Sequence, residues 1–176
     1  MRLFWIFAAL AIALVAGALL FQARRIKRRH LRFLREPAPG FTGEGTRLLD
    51  APRALYHGTS FADGAALLLP AWRDACVCDL FCTEEALFIR REGQGAQLAI
   101  AHASVVEAAL HRGYALMAGK ELPMLRLRWK RGGELLQTEL SLRGGMASLE
   151  TLRREIHLRQ GNIAAQLAPL LDRTPP

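Results

Sequence analysis

Leu125-Arg126-Leu127-Arg128-Trp129-Lys130-Arg131-Gly132-Gly133-Glu134-Leu135-Leu136-Gln137-Thr138-Glu139-Leu140 is the stretch from which the fold can be read. Apolar and polar residues alternate on both sides of Gly132-Gly133, the period of half-buried strands. A two-residue primed turn at the glycine pair sets Trp129 opposite Leu136, Leu127 opposite Thr138 and Leu125 opposite Leu140. The other face then pairs Arg126 with Glu139 and Arg128 with Gln137. One register yields a mostly apolar face and a charge-matched one, as cross-strand pairing favours.

Similar short strands recur upstream. Ala54 to Thr59, Cys76 to Thr83, Ala86 to Arg91, Gln97 to Ile100 and Val105 to His111 carry the pattern, with Gly113 closing the last. Ala62 to Leu69 reads as a loop or short helix. After the hairpin, Ser148 is placed to cap a helix whose Leu149, Leu152 and Ile156 fall on one face. Gly161-Asn162 reads as its stop, with a second short helix over Ile163 to Leu171. Six or seven antiparallel strands followed by an amphipathic helix make an α+β domain, a small curved sheet with a helix over its core. The domain is expected over residues 53–160, with a tail at 161–176. A linker over 37–52 is rich in proline and glycine from Pro37 to Gly45 and should be extended.

The N-terminus has a different character. Leu3 to Phe21 runs nineteen residues without a charge. At roughly 1.5 Å per helical residue this approaches the ~30 Å of a bilayer's hydrocarbon, so a transmembrane helix is expected over about 3–21. Trp5 suits an interfacial anchor. Seven basic residues follow, Arg24, Arg25, Lys27, Arg28, Arg29, Arg32 and Arg35, against Arg2 alone before the run. The positive-inside rule places Met1 outside and everything after Gln22 in the cytoplasm, a single pass through the inner (plasma) membrane. A cleaved signal peptide, suggested by Ala16-Gly17-Ala18, would require the opposite charge bias. The same seven residues are the candidates for contact with anionic lipid headgroups, at about 1 kcal/mol each near such a surface. Ile26, Leu31 and Leu34 add apolar contact along a helical continuation.

The formal charge of +8 is unevenly spread: residues 1–36 carry eight basic side chains and one acid, residues 37–176 sixteen and fifteen. A nearly neutral domain argues against nucleic acid as a partner. Cys76, Cys78 and Cys82 are three thiols within seven positions, which is no disulfide framework. With His57 or His102 they could hold zinc, which needs about four N or S ligands. Strand parity gives the simpler expectation that all three sulfurs face one side of a sheet. Lys120 after Gly119 lacks the glycine-rich phosphate loop, and no nucleophile elbow or paired carboxylates are present.

Several segments resemble the bacterial pleckstrin-homology-like domains found behind a single N-terminal span in small membrane proteins of the actinobacterial type. They are Leu55-Tyr56-His57-Gly58-Thr59, Glu85 to Arg91, Arg112 to Lys120, Leu125 to Lys130 and Glu134 to Thr138. The Tyr114-Ala115-Leu116-Met117 turn is longer than the family pattern. The resemblance implies a seven-stranded barrel-like sheet capped by a C-terminal helix, with no catalytic residues and no cofactor. Beside the resemblance, the expected role is an interaction module at the cytosolic membrane face, presenting a sheet edge or loop to an unidentified protein rather than to a lipid. Tyr56-His57-Gly58-Thr59-Ser60 is also similar to the nicotinamide- and ribose-holding segment of ADP-ribosyltransferases. That enzymatic alternative would need an aromatic and an acid around one NAD-sized cleft, for which Tyr114 and Glu139 are the nominees.

Overall fold

The hairpin read from residues 125–140 is present in the computed structural model of the chain, in the expected register. Leu125 pairs with Leu140, Leu127 with Thr138 and Trp129 with Leu136, while Arg126 meets Glu139 and Arg128 meets Gln137. Gly132 and Gly133 take φ of 60° and 72°, the left-handed pair that a primed turn requires. The structure describes residues 2–35, 41, 43, 46–67, 69–92 and 97–171. For 2–6, 8–9, 32–35, 70–71, 97 and 162–171 it describes the backbone only. Most of the proline- and glycine-rich stretch from Pro37 to Gly45, the Gly93-Gln94-Gly95 turn, the last five residues and the Trp5 side chain therefore lie outside the described residues.

The elements in order are helix α1 (Arg2–Arg35), strand β1 (Leu49–Phe61) and the short helix α2 (Pro70–Arg73). Then come β2 (Cys76–Cys82), β3 (Ala86–Arg91), β4 (Gln97–Ala101) and a 3-10 turn (His102–Ser104). Strands β5 (Val105–Ala115), β6 (Lys120–Arg131) and β7 (Glu134–Ser141) follow, and α3 (Gly145–Leu171) closes the chain. The seven antiparallel strands form one sheet in the order β4-β3-β2-β1-β7-β6-β5. This is a meander closed between its first and last strands and open between β4 and β5. Strand β1 is the seam: Leu49 to Tyr56 pair with β2, and Leu55 to Phe61 pair with β7. Two bulges, between Ala51 and Ala54 and between Tyr56 and Thr59, bend it. Extra residues of this kind are how a sheet acquires the curvature to close. The fold is α+β: a curved seven-stranded sheet with a C-terminal helix over it.

Four expectations are corrected, the first being that β5 runs through Gly113, which pairs with Leu122, to Ala115 instead of closing at the glycine. Strand β1 starts at Leu49 rather than at residue 53 or 54. Helix α3 starts at Gly145, so Ser148 lies in its first turn rather than capping it. Gly145, at φ 64°, completes the reversal out of β7 and lets the helix begin earlier. The helix also runs through Gly161-Asn162 to Leu171. Gly161 does not take the left-handed conformation of a helix stop, and one helical glycine costs only about 1 kcal/mol relative to alanine. The expected apolar face of α3 is as read, with Leu149, Leu152 and Ile156 fully buried against the sheet.

The core contains one directed hydrogen-bond chain. Trp129 Nε1 donates to Thr138 Oγ1 at 3.0 Å, and Thr138 reaches Thr59 Oγ1 at 2.7 Å. Thr59 in turn reaches Tyr56 Oη at 2.6 Å, and Tyr56 donates to the Trp72 carbonyl of α2. Read from the Trp129 donor to the Trp72 acceptor, each hydroxyl accepts one bond and donates the next, so no buried proton is stranded. The three cysteines do share a face of β2: Cys78 and Cys82 are in the core and Cys76 packs against it.

Candidate functional site

The segment Tyr56-His57-Gly58-Thr59-Ser60 lies at the second bulge of β1, and its conspicuous residues serve the packing of α2. Tyr56 and Thr59 belong to the buried chain that ends on the Trp72 carbonyl. Gly58, at φ 106°, lets the Arg73 carbonyl approach so closely that an added Cβ would stand 2.3 Å from its oxygen. Only glycine accommodates both demands. His57 points the other way, and its Nε2 is 2.9 Å from Ser141 Oγ. The Ser141 hydroxyl donates its single proton to the Pro123 carbonyl at 2.9 Å. His57 must therefore donate to Ser141, the reverse of a base that activates a serine nucleophile.

Of the nominees for NAD chemistry, Glu139 sits on the same outer face as His57. It is engaged by Arg126 at 3.0 Å and lies 3.3 Å from His111 Nε2. Burial lowers the His57 pKa, with Glu139 acting against it. Tyr114 lies three positions beyond His111 near the end of β5, so strand alternation sends it to the opposite face, and it is exposed. The three are not brought around one cleft. Among the metal candidates, Cys82 Sγ does meet His102 Nε2 at 3.5 Å, but that ring also bonds the Thr83 carbonyl at 3.0 Å. Among the described residues no group of three potential ligands forms. Burial pushes Cys78 up to about 12 and Cys82 up to about 11, which disfavours the thiolate that a metal needs.

The basic segment divides into two. Arg24, Arg25, Lys27 and Arg28 are exposed on α1, as headgroup contacts require, whereas the side chains of Arg32 and Arg35 lie outside the described residues. Arg29 is turned onto the domain. Its Nε donates to Glu134 Oε2 at 2.8 Å, its Nη1 to Asp63 Oδ2 at 2.6 Å, and its guanidinium lies 4.0 Å from the Phe61 ring centre. His30, buried, packs edge-on against the same ring at 5.2 Å and bonds the Ala66 backbone. The end of α1 is thus fastened where β1 ends and β7 begins. The sequence offered no cue for this contact, because Arg29 is one of seven similar cations.

Upstream of that contact, Leu10 to Phe21 of α1 is exposed on every side. Among the described residues no helix is long and apolar enough to cross a membrane.

A cavity of about 410 Å³ opens at the opposite end of the barrel. Residues 49–54 of β1 form one wall, and residues 142–144 with Ser148 and Thr151 form the other. It arises because the first bulge carries Pro52 and Arg53 away from the turn that follows β7. Arg53 is the sole non-glycine at positive φ (56°) among the described residues. Its amide contacts Asp79 Oδ1 at 3.4 Å. Pro52, which cannot donate to a ladder, was the available signal for a break in the strand.

The class defined by these elements is an antiparallel, partly open barrel sealed by a C-terminal helix. No protein-family profile matches the chain, and no curated protein does. Among solved structures it is similar to that of Vav1 inhibited by an allosteric inhibitor, at 11% identity and a TM-score of 0.40. That match covers 81% of this chain and 34% of the other, so the chain spans about a third of that structure's length. A likeness of this size carries no argument about function.

Proposed function

We propose that the chain is a membrane-anchored, non-enzymatic interaction module: a pleckstrin-homology-like domain displayed at the cytosolic face, tethered by α1 with its N-terminus outside. The observation that carries this reading is the composition of α1. From Leu10 to Phe21 its side chains are exposed on all faces, and Leu10, Ile12, Leu14, Val15, Leu19, Leu20 and Phe21 are each 59–70% exposed. A helix apolar all round needs an apolar surrounding. This stretch of twelve residues covers only about 18 Å. The full uncharged run from Leu3 extends it to a length that suits a bilayer, and the cations from Arg24 onward suit the cytosolic headgroups. A protein partner at the barrel surface completes the proposal.

The test is alkaline carbonate extraction of membranes containing the full chain, alongside a variant lacking residues 3–21. The full chain should stay in the pellet and the variant should be released. Release of both would refute the anchor. Affinity capture of the full chain from gently solubilised membranes, against residues 1–36 alone, then identifies the partner.

A further inference from the structure

We propose that the 410 Å³ cavity between β1 and the β7–α3 turn binds a small soluble molecule carrying an oxyanion, phosphate or carboxylate, on a short apolar body. The volume lies within the range of small-ligand pockets, roughly 300–1,000 Å³. Its charge is one-sided. The lining contains one acid, Asp50, and that carboxylate is already engaged by Arg47 at 3.1 Å. Arg53 and Arg143 also line it, both exposed, and among the described residues neither has an ion-pair partner. Ser148 adds a hydroxyl with no hydrogen-bond partner among the described residues, on the wall facing β1. Two uncommitted guanidiniums over one cavity suit bidentate recognition of an oxyanion. Leu49, Ala51, Pro52, Ala54 and Leu142 supply the apolar floor that would hold the rest of the molecule.

The position favours a soluble molecule over a lipid headgroup. Strand β7 begins at Glu134, where Arg29 fastens α1, and ends at Ser141 beside the cavity. Seven strand steps separate these points, about 23 Å. The cavity therefore faces away from the anchored end of the domain. The proposal stands whether or not α1 crosses a bilayer.

The experiment is calorimetric titration of the full chain in neutral-lipid nanodiscs with phenyl phosphate, octanoate and inorganic phosphate, together with flotation on anionic vesicles. The paired variant is Arg53→Gly with Arg143→Ala. Glycine accepts the φ of 56° more readily than arginine, so loss of the cation carries no folding penalty, and thermal melting checks that. Phenyl phosphate or octanoate should bind saturably and better than inorganic phosphate, the better of the two identifying the oxyanion. The variant should lose at least about tenfold in affinity. Equal binding by the variant overturns the proposal, as does failure of all three probes at millimolar concentration. Vesicle binding that the variant abolishes, without binding of the soluble probes, assigns the arginines to lipid and also overturns it.

Discussion

Replacing Arg29 by Gln should loosen the end of α1 from the barrel, and the size of the effect follows from its three contacts. The 2.8 Å bond to Glu134 joins two side chains only 14% and 11% exposed, where a charge-assisted hydrogen bond is worth about 2 kcal/mol. Asp63 is 54% exposed, so its bond contributes a few tenths of a kcal/mol, in line with exposed pairs. The guanidinium over Phe61 adds about 0.5–1 kcal/mol. Gln retains a neutral hydrogen bond to Glu134 and returns about 1 kcal/mol of this. The net loss of about 2 kcal/mol corresponds to roughly a thirtyfold fall in the ratio of docked to undocked chains. Spin labels at the exposed positions Arg25 and Lys130 would report it as a broadened distance distribution. Arg28→Gln is the control, since Arg28 is exposed on the same helix. If Arg29→Gln leaves the distribution unchanged, or Arg28→Gln broadens it equally, Arg29 is one more surface cation and the docking argument fails.

Gly58→Ala should destabilise the domain by at least about 3 kcal/mol, combining a positive φ with a clash against immovable backbone. Denaturant unfolding checks this, and a change within experimental scatter would refute the role assigned to the glycine. At neutral pH the native thiols should react poorly with a disulfide reagent. Cys78 and Cys82, pushed up to about 12 and about 11, should be silent until unfolding, and only half-buried Cys76 should label, slowly. Rapid reaction of all three in the folded protein would contradict the burial. Docking of α1 should also weaken in acid. Burial lowers the His30 pKa below its ordinary 6.5, with neighbouring Arg29 acting in the same direction. Its neutral form is therefore favoured when docked, and its contribution is complete above 6.5 and lost progressively as pH falls below it. Asp63, held below its usual 3.8 mainly by the Arg29 hydrogen bond, withdraws its contribution only at lower pH still. The same spin-label pair measured across pH 6.5 tests the histidine step, and a distribution insensitive to pH there would sink it.

What was legible in the sequence was whatever rests on local periodicity. The Leu125–Leu140 hairpin could be registered because its two faces gave independent and agreeing patterns. The cysteine face and the buried stripe of α3 followed from parity and spacing alone. Tertiary choices were hidden. Tyr56-His57-Gly58-Thr59 looked like chemistry because a buried Tyr, a close-approach Gly and a hydrogen-bonded Thr occur in succession. That succession reflects a bulge receiving α2, which no local rule reports. Arg29 could not be told from its neighbours, because its partners Asp63 and Glu134 lie far away in sequence. The cavity depends on Arg53 adopting a conformation that arginine ordinarily avoids, at the point where the sequence marks only the start of the domain.

The two ends of β7 impose a final constraint. Glu134 at one end holds Arg29 of α1, and the cavity begins just past Ser141 at the other. Between them the strand is paired along its length with β6, and it is paired with β1 on either side of the second bulge. The cross-strand bonds and the packed Trp129, Leu136 and Leu140 leave it no alternative register. Sites about 23 Å apart on such a sheet, with no shared contacts, should act additively. Arg29→Gln should therefore leave affinity for the cavity probes unchanged, and Arg53→Gly with Arg143→Ala should leave the Arg25–Lys130 distance unchanged. A coupling above about 0.5 kcal/mol in the triple variant would mean that the barrel has a second arrangement which both sites bias. The first bulge of β1, where Arg53 already stands in a strained conformation, is the element that would have to move.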